Sequence, residues 1–582
     1  MSQIQRPLLK LSRTASIILL SLGMSACALT STSTAPLTVN KPIVINMVAI
    51  NDFHGHLEKE KISFQRTTDK APQSTFGAGI EVLGANLQAW RKQDKDLLFV
   101  GGGDLIGASP AISSLFADEP TIDAFGKMGM HVSALGNHEF DHGLKELKRQ
   151  IHGGCDSPRP DRACKYDGNF SGAKFSYIAA NVIDQATAKP LFPAYHVEQV
   201  KGVKVGFIGA VLRETPMMVA SDNVKGLEFI DEAEAINRTI PALKELGVKV
   251  FVVLIHEGGT TTEAFDQPAC SNLKGPIVDI VKRLDPAVSL IVSGHSHTGF
   301  VCKVDGRVVT QAQMYGHLLT RIAITVDGTS HQVSSIDARN MLMSEDTVSS
   351  SAPVPPALTS LMDKARVGSQ AMIAKPVARL ALPVITRKLN DAGESPLGNI
   401  VADAQLAGVK HLGVQIVFMN NKGIRANLET VAGNVSTFGQ NSTVLPFGNT
   451  MVMMSLTGAQ IKALLEEQKW FDSESVDGRT MLQVSEGFTY TWDGKRPIGQ
   501  RVLPGSVKLN GVELDDNTDY RIAANNFIAG GGDRLPMFLK GRNRVDSGVK
   551  DIDAFMHYIQ QRDQAGTPVG SKDPAGRIQR IQ

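Results

Sequence analysis

The five cysteines include no CxxC pair, which removes the usual thiolate frame of a structural zinc site. There is no long block of lysine and arginine, and the formal net charge is only +2 over 582 residues. The electrostatic footprint of a protein that grips nucleic-acid polymers is therefore missing. There is no internal repeat, and the apolar run near the N-terminus, Ile17–Leu22, is too short to span a bilayer. What is present is an apolar fraction of 42% with 20% charged residues, the balance of a folded globular protein. The length exceeds one ordinary core and predicts two or three domains.

The N-terminus reads as a targeting segment. Arg6, Lys10 and Arg13 precede Ile17–Leu22, and "GMSACALT" follows. Small residues before Cys27 resemble the lipobox of bacterial lipoproteins, in which the cysteine is lipidated and becomes the mature N-terminus. Ala26-Cys27-Ala28 also fits plain secretory cleavage. Both readings export the protein, as a periplasmic or surface lipoprotein anchored in the outer membrane through Cys27, or as a soluble one. Residues 1–27 are the expected signal peptide with lipobox and 28–42 a Ser/Thr-rich flexible tether. Cys155, Cys164, Cys270 and Cys302 remain, an even number suited to disulfides in an exported protein. Three pairings are possible. Cys155–Cys164 with Cys270–Cys302 closes the shortest loops.

From about residue 43 to 340, strand-like runs alternate with helix-like segments. "DLLFV", "HVSAL", "VKVGFIGAV", "VKVFVVLI" and "SLIVS" are the strands; Glu81–Lys92 and Ala233–Leu246 are helical patterns. This alternation predicts a layered α/β domain over 43–343. A Ser/Pro-rich stretch and a helix make a linker over 344–375, and a second mixed domain covers 376–575.

Five strands end alike. "MVAINDFH" ends in Asp52 and His54, and "LLFVGGGD" in Asp104. "VSALGNHEFD" ends in Asn137, His138 and Asp141, "VFVVLIHEGG" in His256, and "LIVSGHSHTG" in His295 and His297. One such end is ordinary turn chemistry. Five, all Asp, Asn or His beside glycines, fall at the sheet edge where layered α/β domains bind ligands. Glycines let backbone approach ions and substrate closely. Oxygen and imidazole donors without thiolates suit zinc, manganese, cobalt or similar divalent ions. Asp52 and His54, two apart in extended chain, are expected to share a face. Asp104, alone after a glycine run, is the natural bridge between two ions, a pair that can hold a hydroxide and clamp phosphoryl oxygens.

The order D-x-H, GGD, GNHEFD, a lone His and GHSH resembles the calcineurin-like metallophosphoesterases over about 43–310. The resemblance implies a four-layer α/β/β/α sandwich. It implies that Asp52, His54, Asp104 and His297 hold one divalent ion and Asp104, Asn137, His256 and His295 the other. His138 is implied as the catalytic residue that steadies the transition state, oriented by Asp141, whose carboxylate favours the cationic imidazole. His56 and His142 are read as supporting or surface residues.

In the second domain, "ESPLGNIVADAQ", "FMNNKGIRANL", "TVLPFGNT" and "NNFIAGGGDRL" resemble the C-terminal domain of the 5′-nucleotidase family, an α+β substrate-binding domain. Phe447 and Phe527 lie in separate polar, Gly-rich loops and can sandwich a base. Asp533 can accept from ribose hydroxyls; Asn420 is assigned to the base and Arg425 to the sugar–phosphate side. Where relatives often read N-G-G-G-I-R, this chain has Asn420-Asn421-Lys422-Gly423-Ile424-Arg425. Many relatives also carry an arginine before the segment here written "NDAGESPLGN", and Arg387 or Lys388 are the candidates to replace it. The implied activity is hydrolysis of nucleoside monophosphates to nucleoside and phosphate by metal-bound hydroxide, by a monomer. Hydrolysis of UDP-sugars, or of 2′,3′-cyclic nucleotides with 3′-nucleotidase action, is the alternative within the family. A catalytically dead, nucleotide-binding surface lipoprotein would have lost metal ligands, and every ligand position is filled.

Overall fold

The computed structural model describes residues 41–348, 353–468 and 480–581. The expected signal peptide, Cys27 and the tether as far as residue 40 lie outside the described residues. So does the middle of the Ser/Pro-rich stretch, 349–352.

Two six-stranded sheets build the first half. One runs Val333–Leu342, Leu318–Val326, Ile43–Ile50 (β1), Leu98–Gly101 (β2), Val132–Ala134 (β3) and Ser176–Ile178. The other runs Tyr195–Val200, Val203–Val211, Val250–His256 (β4), Val288–Val292 (β5), Arg307–Ala312 and Gly299–Val304. β1, β2 and β3 are mutually parallel, as are Val203–Val211, β4 and β5. Their C-terminal ends therefore leave each sheet on one edge.

From Met47 to Ile50, β1 is a continuous apolar run buried on both faces. Ile45, Met47 and Ala49 point between the sheets, into a core shared with Val100, Phe207, Val252 and Leu290. Val48 and Ile50, on the opposite face by the period of two, meet helices that cover the first sheet. Those helices are Gly79–Gln93, Glu119–Lys127 and Gly143–His152. Glu232–Glu245 and Pro276–Lys282 cover the second sheet. The result is the expected helix/sheet/sheet/helix stack.

The helix Pro356–Ile373 is not a free linker. Leu358, Leu361, Met362 and Ala365 fall on one stripe and belong to the core over the first sheet. The passage to the second half therefore falls at Ala374–Pro376, where the chain leaves this helix for a short strand.

The second half is built on a five-stranded sheet in the order Leu482–Val484, Ile416–Asn420, Asp519–Asn525, Thr450–Thr457, Arg542–Lys550. Ile416–Asn420 and Asp519–Asn525 are parallel neighbours, so Asn420 and Asn525 end side by side. The amide of Asn525 donates to Asn420 Oδ1 at 2.9 Å.

Both expected disulfides are formed, Cys155–Cys164 and Cys270–Cys302. The second closes 32 residues and pins the segment after β4 to the strand Gly299–Val304, where Cys270 N–H donates to Val301 O at 2.9 Å. Replacing both Cys270 and Cys302 by alanine is expected to cost about 2–4 kcal/mol, the usual worth of a disulfide. Denaturant unfolding of wild type and variant checks this; unchanged midpoints would contradict it.

Candidate metal centre

The strand exits converge through backbone pairing that continues past the sheet. Asp52 N–H donates to Gly103 O, His54 N–H to Asp104 O and Gly55 N–H to Leu105 O, at 3.0, 3.0 and 3.1 Å. The two residues do not share a face of extended chain, as the two-residue spacing led us to expect. Asp52 and His54 have φ of 50° and 49°, and the intervening Phe53 is buried against Phe125 at 5.0 Å. Asp104, His295 and His297 are left-handed too, at 52°, 71° and 55°. Five of the seven expected metal-binding residues thus occupy a region that non-glycine residues rarely enter. Each costs roughly 1–3 kcal/mol and persists only where the surroundings over-determine it.

Their donor atoms form one cluster. Asp52 and Asp104, 0% and 1% exposed, both approach the Nε2 atoms of His54 and His256. His256 Nε2 is 2.9 Å from Asp104 Oδ2, and His297 Nε2 is 3.3 Å from Asp52 Oδ1. His54 Nε2 and His297 Nε2 are only 3.2 Å apart. His295 Nδ1 lies 3.1 Å from Asn137 Oδ1. Asp52, His54 and His297 could hold one ion, and Asp104, His256 and His295 another.

The cluster fits a metal on its own evidence. Nδ1 of His54 bonds Gly107 O and Nδ1 of His256 bonds Gly102 O, both at 2.9 Å. A carbonyl only accepts, so each Nδ1 carries the proton and each Nε2 presents a lone pair to the cluster. Among the described residues His256 Nε2 makes no hydrogen bond although it lies 2.9 Å from Asp104 Oδ2, two acceptors face to face that call for a cation between them. A side chain at Gly136 would overlap the Asp104 carboxylate, and one at Gly103 would come within 2.7 Å of His256 Nδ1. These glycines keep the cradle open.

His138 stands beside the cluster with Nδ1 bonded to Asp141 Oδ2 at 2.9 Å and its backbone N–H donating to Asp104 Oδ1 at 2.9 Å. Its ring also lies close to His54 and Asp104. Burial works against the imidazolium, yet Asp141 and Asp104 together raise its pKa above the ordinary histidine value. His142 precedes the helix Gly143–His152 without a side-chain capping hydrogen bond.

Sequence reasoning passed over Glu139, which sits inside the GNHEFD string. Its buried carboxyl accepts from three backbone groups: Asp104 N–H at 3.0 Å, Leu105 N–H at 2.9 Å and Gly136 N–H at 2.6 Å. It ties the β2 exit to the β3 exit. Burial, with Asp104 alongside, pushes its pKa up to about 7.

One cavity of about 510 Å³ joins these residues to the second half of the chain. Asp104, Asn137, His138, His295 and His297 line one side; Arg425, Phe447, Phe527 and Asp533 line the other. Phe447 lies nearly parallel to the His138 ring at 5.8 Å, under the Arg425 guanidinium at 5.9 Å. Arg387 also lines the cavity and donates to Ile424 O at 2.7 Å, so it, not Lys388, brings a second guanidinium next to Arg425. Neither arginine forms an ion pair among the described residues, and burial, reinforced by Arg425, lowers the Arg387 pKa. Asn420 is 1% exposed and donates to Asp533 Oδ2 at 2.7 Å. Its amide orients the carboxylate that faces the cavity. Lys422, which stands where relatives carry glycine, lines the cavity as well, and so does Asn449, which sequence reasoning passed over.

Comparison with known proteins agrees across the chain. A family model described as calcineurin-like phosphoesterase matches residues 45–299, and one described as 5′-nucleotidase, C-terminal domain, matches 374–540. The chain is 30% identical over 569 residues to a cell wall protein, Lmo0130, of Listeria monocytogenes, covering 93% of this chain and 70% of that protein. It is 29% identical to the endonuclease YhcR of Bacillus subtilis over 90% of this chain, but spans only 40% of that protein's length. The crystal structure of a 5′-nucleotidase precursor from Thermus thermophilus superposes with a TM-score of 0.72 at 26% identity, over 93% of this chain and all of that one.

If Asp104 is held in a cradle made for metal binding, Gly136→Ala is expected to displace its carboxylate. Metal content should fall, with affinity down about tenfold or more, while circular dichroism stays that of a folded protein. A folded variant with full metal content would show that the cradle is incidental.

Proposed function

We propose that this chain, which belongs to the 5′-nucleotidase family of calcineurin-like phosphoesterases, hydrolyses nucleoside monophosphates to nucleoside and phosphate. As a member of that family it is a metal-dependent phosphoric ester hydrolase. The observation that carries the narrower reading is the single cavity that sets the donor cluster and His138 opposite two phenylalanines and a buried carboxylate.

Two divalent ions are assigned to the site. Asp52, His54, Asp104 and His297 would hold one, and Asp104, Asn137, His256 and His295 the other, with Asp104 common to both. When bound, such ions supply Lewis acidity toward a phosphoryl group and make water nucleophilic at neutral pH. The chain's own residues do the rest. His138, kept cationic by Asp141, donates toward a non-bridging phosphoryl oxygen and stabilises the charge that develops there. Arg425 and Arg387 offer donors to the sugar–phosphate side. Phe527 and Phe447 stack the base, which tolerates base identity because every base has a π-face. Asp533, oriented by Asn420, accepts from the ribose hydroxyls. The domains are assigned as 43–343 for chemistry and 376–575 for recognition, and the protein is taken to act as a monomer.

The protein is placed outside the cytoplasm, anchored through a lipidated Cys27. Support comes from the targeting pattern in the sequence and from a relative named as a cell wall protein. No helix among the described residues is long and apolar enough to cross a membrane.

His138→Ala is expected to lower kcat by about 10²-fold or more, the usual loss for a positioned proton-transfer or electrostatic group, with metal content unchanged. Loss of metal instead would make His138 a ligand. Phe527→Ala should raise KM for AMP by roughly 5- to 150-fold, the equivalent of about 1–3 kcal/mol of stacking. Hydrolysis of p-nitrophenyl phosphate should be nearly unaffected. Phe447→Ala should disturb both substrates, because that ring also lies against His138. Rates on AMP, a UDP-sugar and 2′,3′-cyclic AMP test the substrate directly. A preference for either of the last two would replace the monophosphatase reading.

A further inference from the structure

Three of the four imidazoles at the donor cluster are fixed by a hydrogen bond. His54 and His256 are held by backbone carbonyls, and His295 by the Asn137 amide oxygen. His297 is different. Its Nε2 points at His54 Nε2 and Asp52 Oδ1, and among the described residues its Nδ1 makes no hydrogen bond. It is also 24% exposed and sits on left-handed backbone. A metal-binding imidazole normally donates its second N–H to an acceptor that fixes the ring. Something else must hold this one.

The side chain in place is Tyr315. Its ring meets His297 edge-on at 5.8 Å and 69°, and meets His54 edge-on at 5.9 Å and 75°. Tyr315 is itself tightly held. Its backbone N–H donates to Asp52 O at 2.7 Å, and its φ is 59°, a conformation a bulky residue adopts only under constraint. Its ring is also stacked on His56, centroids 3.6 Å apart and planes within 11°. His56 Nδ1 is 3.3 Å from Glu60 Oε2, and Glu60 Oε1 is 2.5 Å from His317 Nε2. A row His317–Glu60–His56–Tyr315 thus ends on the two imidazoles that face Asp52.

We propose that Tyr315 is a positioning residue for the metal site of Asp52, His54 and His297, its ring doing for His297 what a hydrogen bond does for the other histidines. The inference rests on the metal-binding reading above. It explains the aromatic at a strained position and gives His56 a role that its place in the Asn51–His56 string did not reveal. Edge-on contact suits the task, because the positive rim of one ring meets the negative face of the other and sets an angle.

The test compares wild type, Tyr315→Leu and Tyr315→Phe after metal removal by chelator, with circular dichroism to confirm folding. Co²⁺ is titrated back by calorimetry, and its visible absorption spectrum is followed. Wild type should take up two ions. Leucine keeps bulk but not the ring, and should weaken one ion about 10- to 100-fold, change its spectrum and leave the other ion as it was. Phenylalanine should restore wild-type affinity. Two ions at wild-type affinity in the leucine variant, or equal damage in the phenylalanine variant, would overturn the proposal. If the leucine variant does not fold, His56→Ala, which removes the ring stacked on Tyr315 together with its contact to Glu60, should weaken the same ion, and unchanged affinity would overturn the proposal equally. A single ion in wild type would overturn the two-ion reading instead, and the Tyr315 comparison would then be read on that ion.

Discussion

Two carboxylates, Asp52 and Asp104, are buried in one cluster at the edge where two sheets meet. Removing even one ionised carboxylate from water is expensive, and the cost stands unless cations or donors surround it. The rest of the site follows from this constraint. Asn51 donates to Asp52 Oδ2 at 2.7 Å, the backbone N–H of His295 lies 2.9 Å from the same atom, and the N–H of His138 meets Asp104 Oδ1. The imidazoles of His54 and His256 approach both acids from the interior, and their outer nitrogens are committed to carbonyls. Such an arrangement of anions and neutral lone pairs is balanced only by a cation placed among them. The demand for metal is thus a consequence of the burial, and the fold supplies the burial.

The same constraint explains the backbone. To bring donors from five strand ends to one point, the chain must turn sharply just past each sheet. Asp52, His54, Asp104, His295 and His297 accept left-handed conformations there because neighbouring segments leave no alternative. The β1 and β2 exits remain hydrogen-bonded beyond the sheet, and Glu139 gathers three N–H groups from the β2 and β3 exits. Glycines stand wherever a side chain would enter the donor shell, as at Gly103 and Gly136. Strain is stored at the site and offset by interactions around it.

What could be read from the sequence was whatever is local. A strand ending in Asp-x-His or Gly-Gly-Asp is a short pattern, and five of them imply convergence once a parallel layered sheet is recognised. The strands, the covering helices and both disulfides follow from similar short-range logic. What could not be read depends on partners far along the chain. Tyr315 matters because it packs on His56 and His297. Arg387, not Lys388, reaches the cavity because its guanidinium is fastened to Ile424 O. Asn420 spends its amide on Asp533, 113 residues away, a tie that composition does not announce. The helix Pro356–Ile373 followed a Ser/Pro-rich stretch and read as a linker, yet its apolar stripe belongs to the first core.

That last point bears on how reaction and recognition are divided. Every expected metal donor lies between residues 52 and 297, whereas the residues facing them across the cavity lie between 387 and 533. The two halves touch at several places around the cavity, the Phe447–His138 contact among them. The pair Arg534–Glu214 is one tie, and both side chains are substantially exposed, so it contributes little. Meanwhile Arg387 and Arg425 line the cavity opposite the donor cluster, and neither forms an ion pair among the described residues. An assembly of this kind is better completed by an anion in the cavity than by closing on itself. In the proposed function, phosphate chemistry belongs to one half and selection to the other. Changes in the second half, such as Asn421-Lys422 in place of the glycines common in relatives, can therefore retune the substrate without disturbing the metal-binding half.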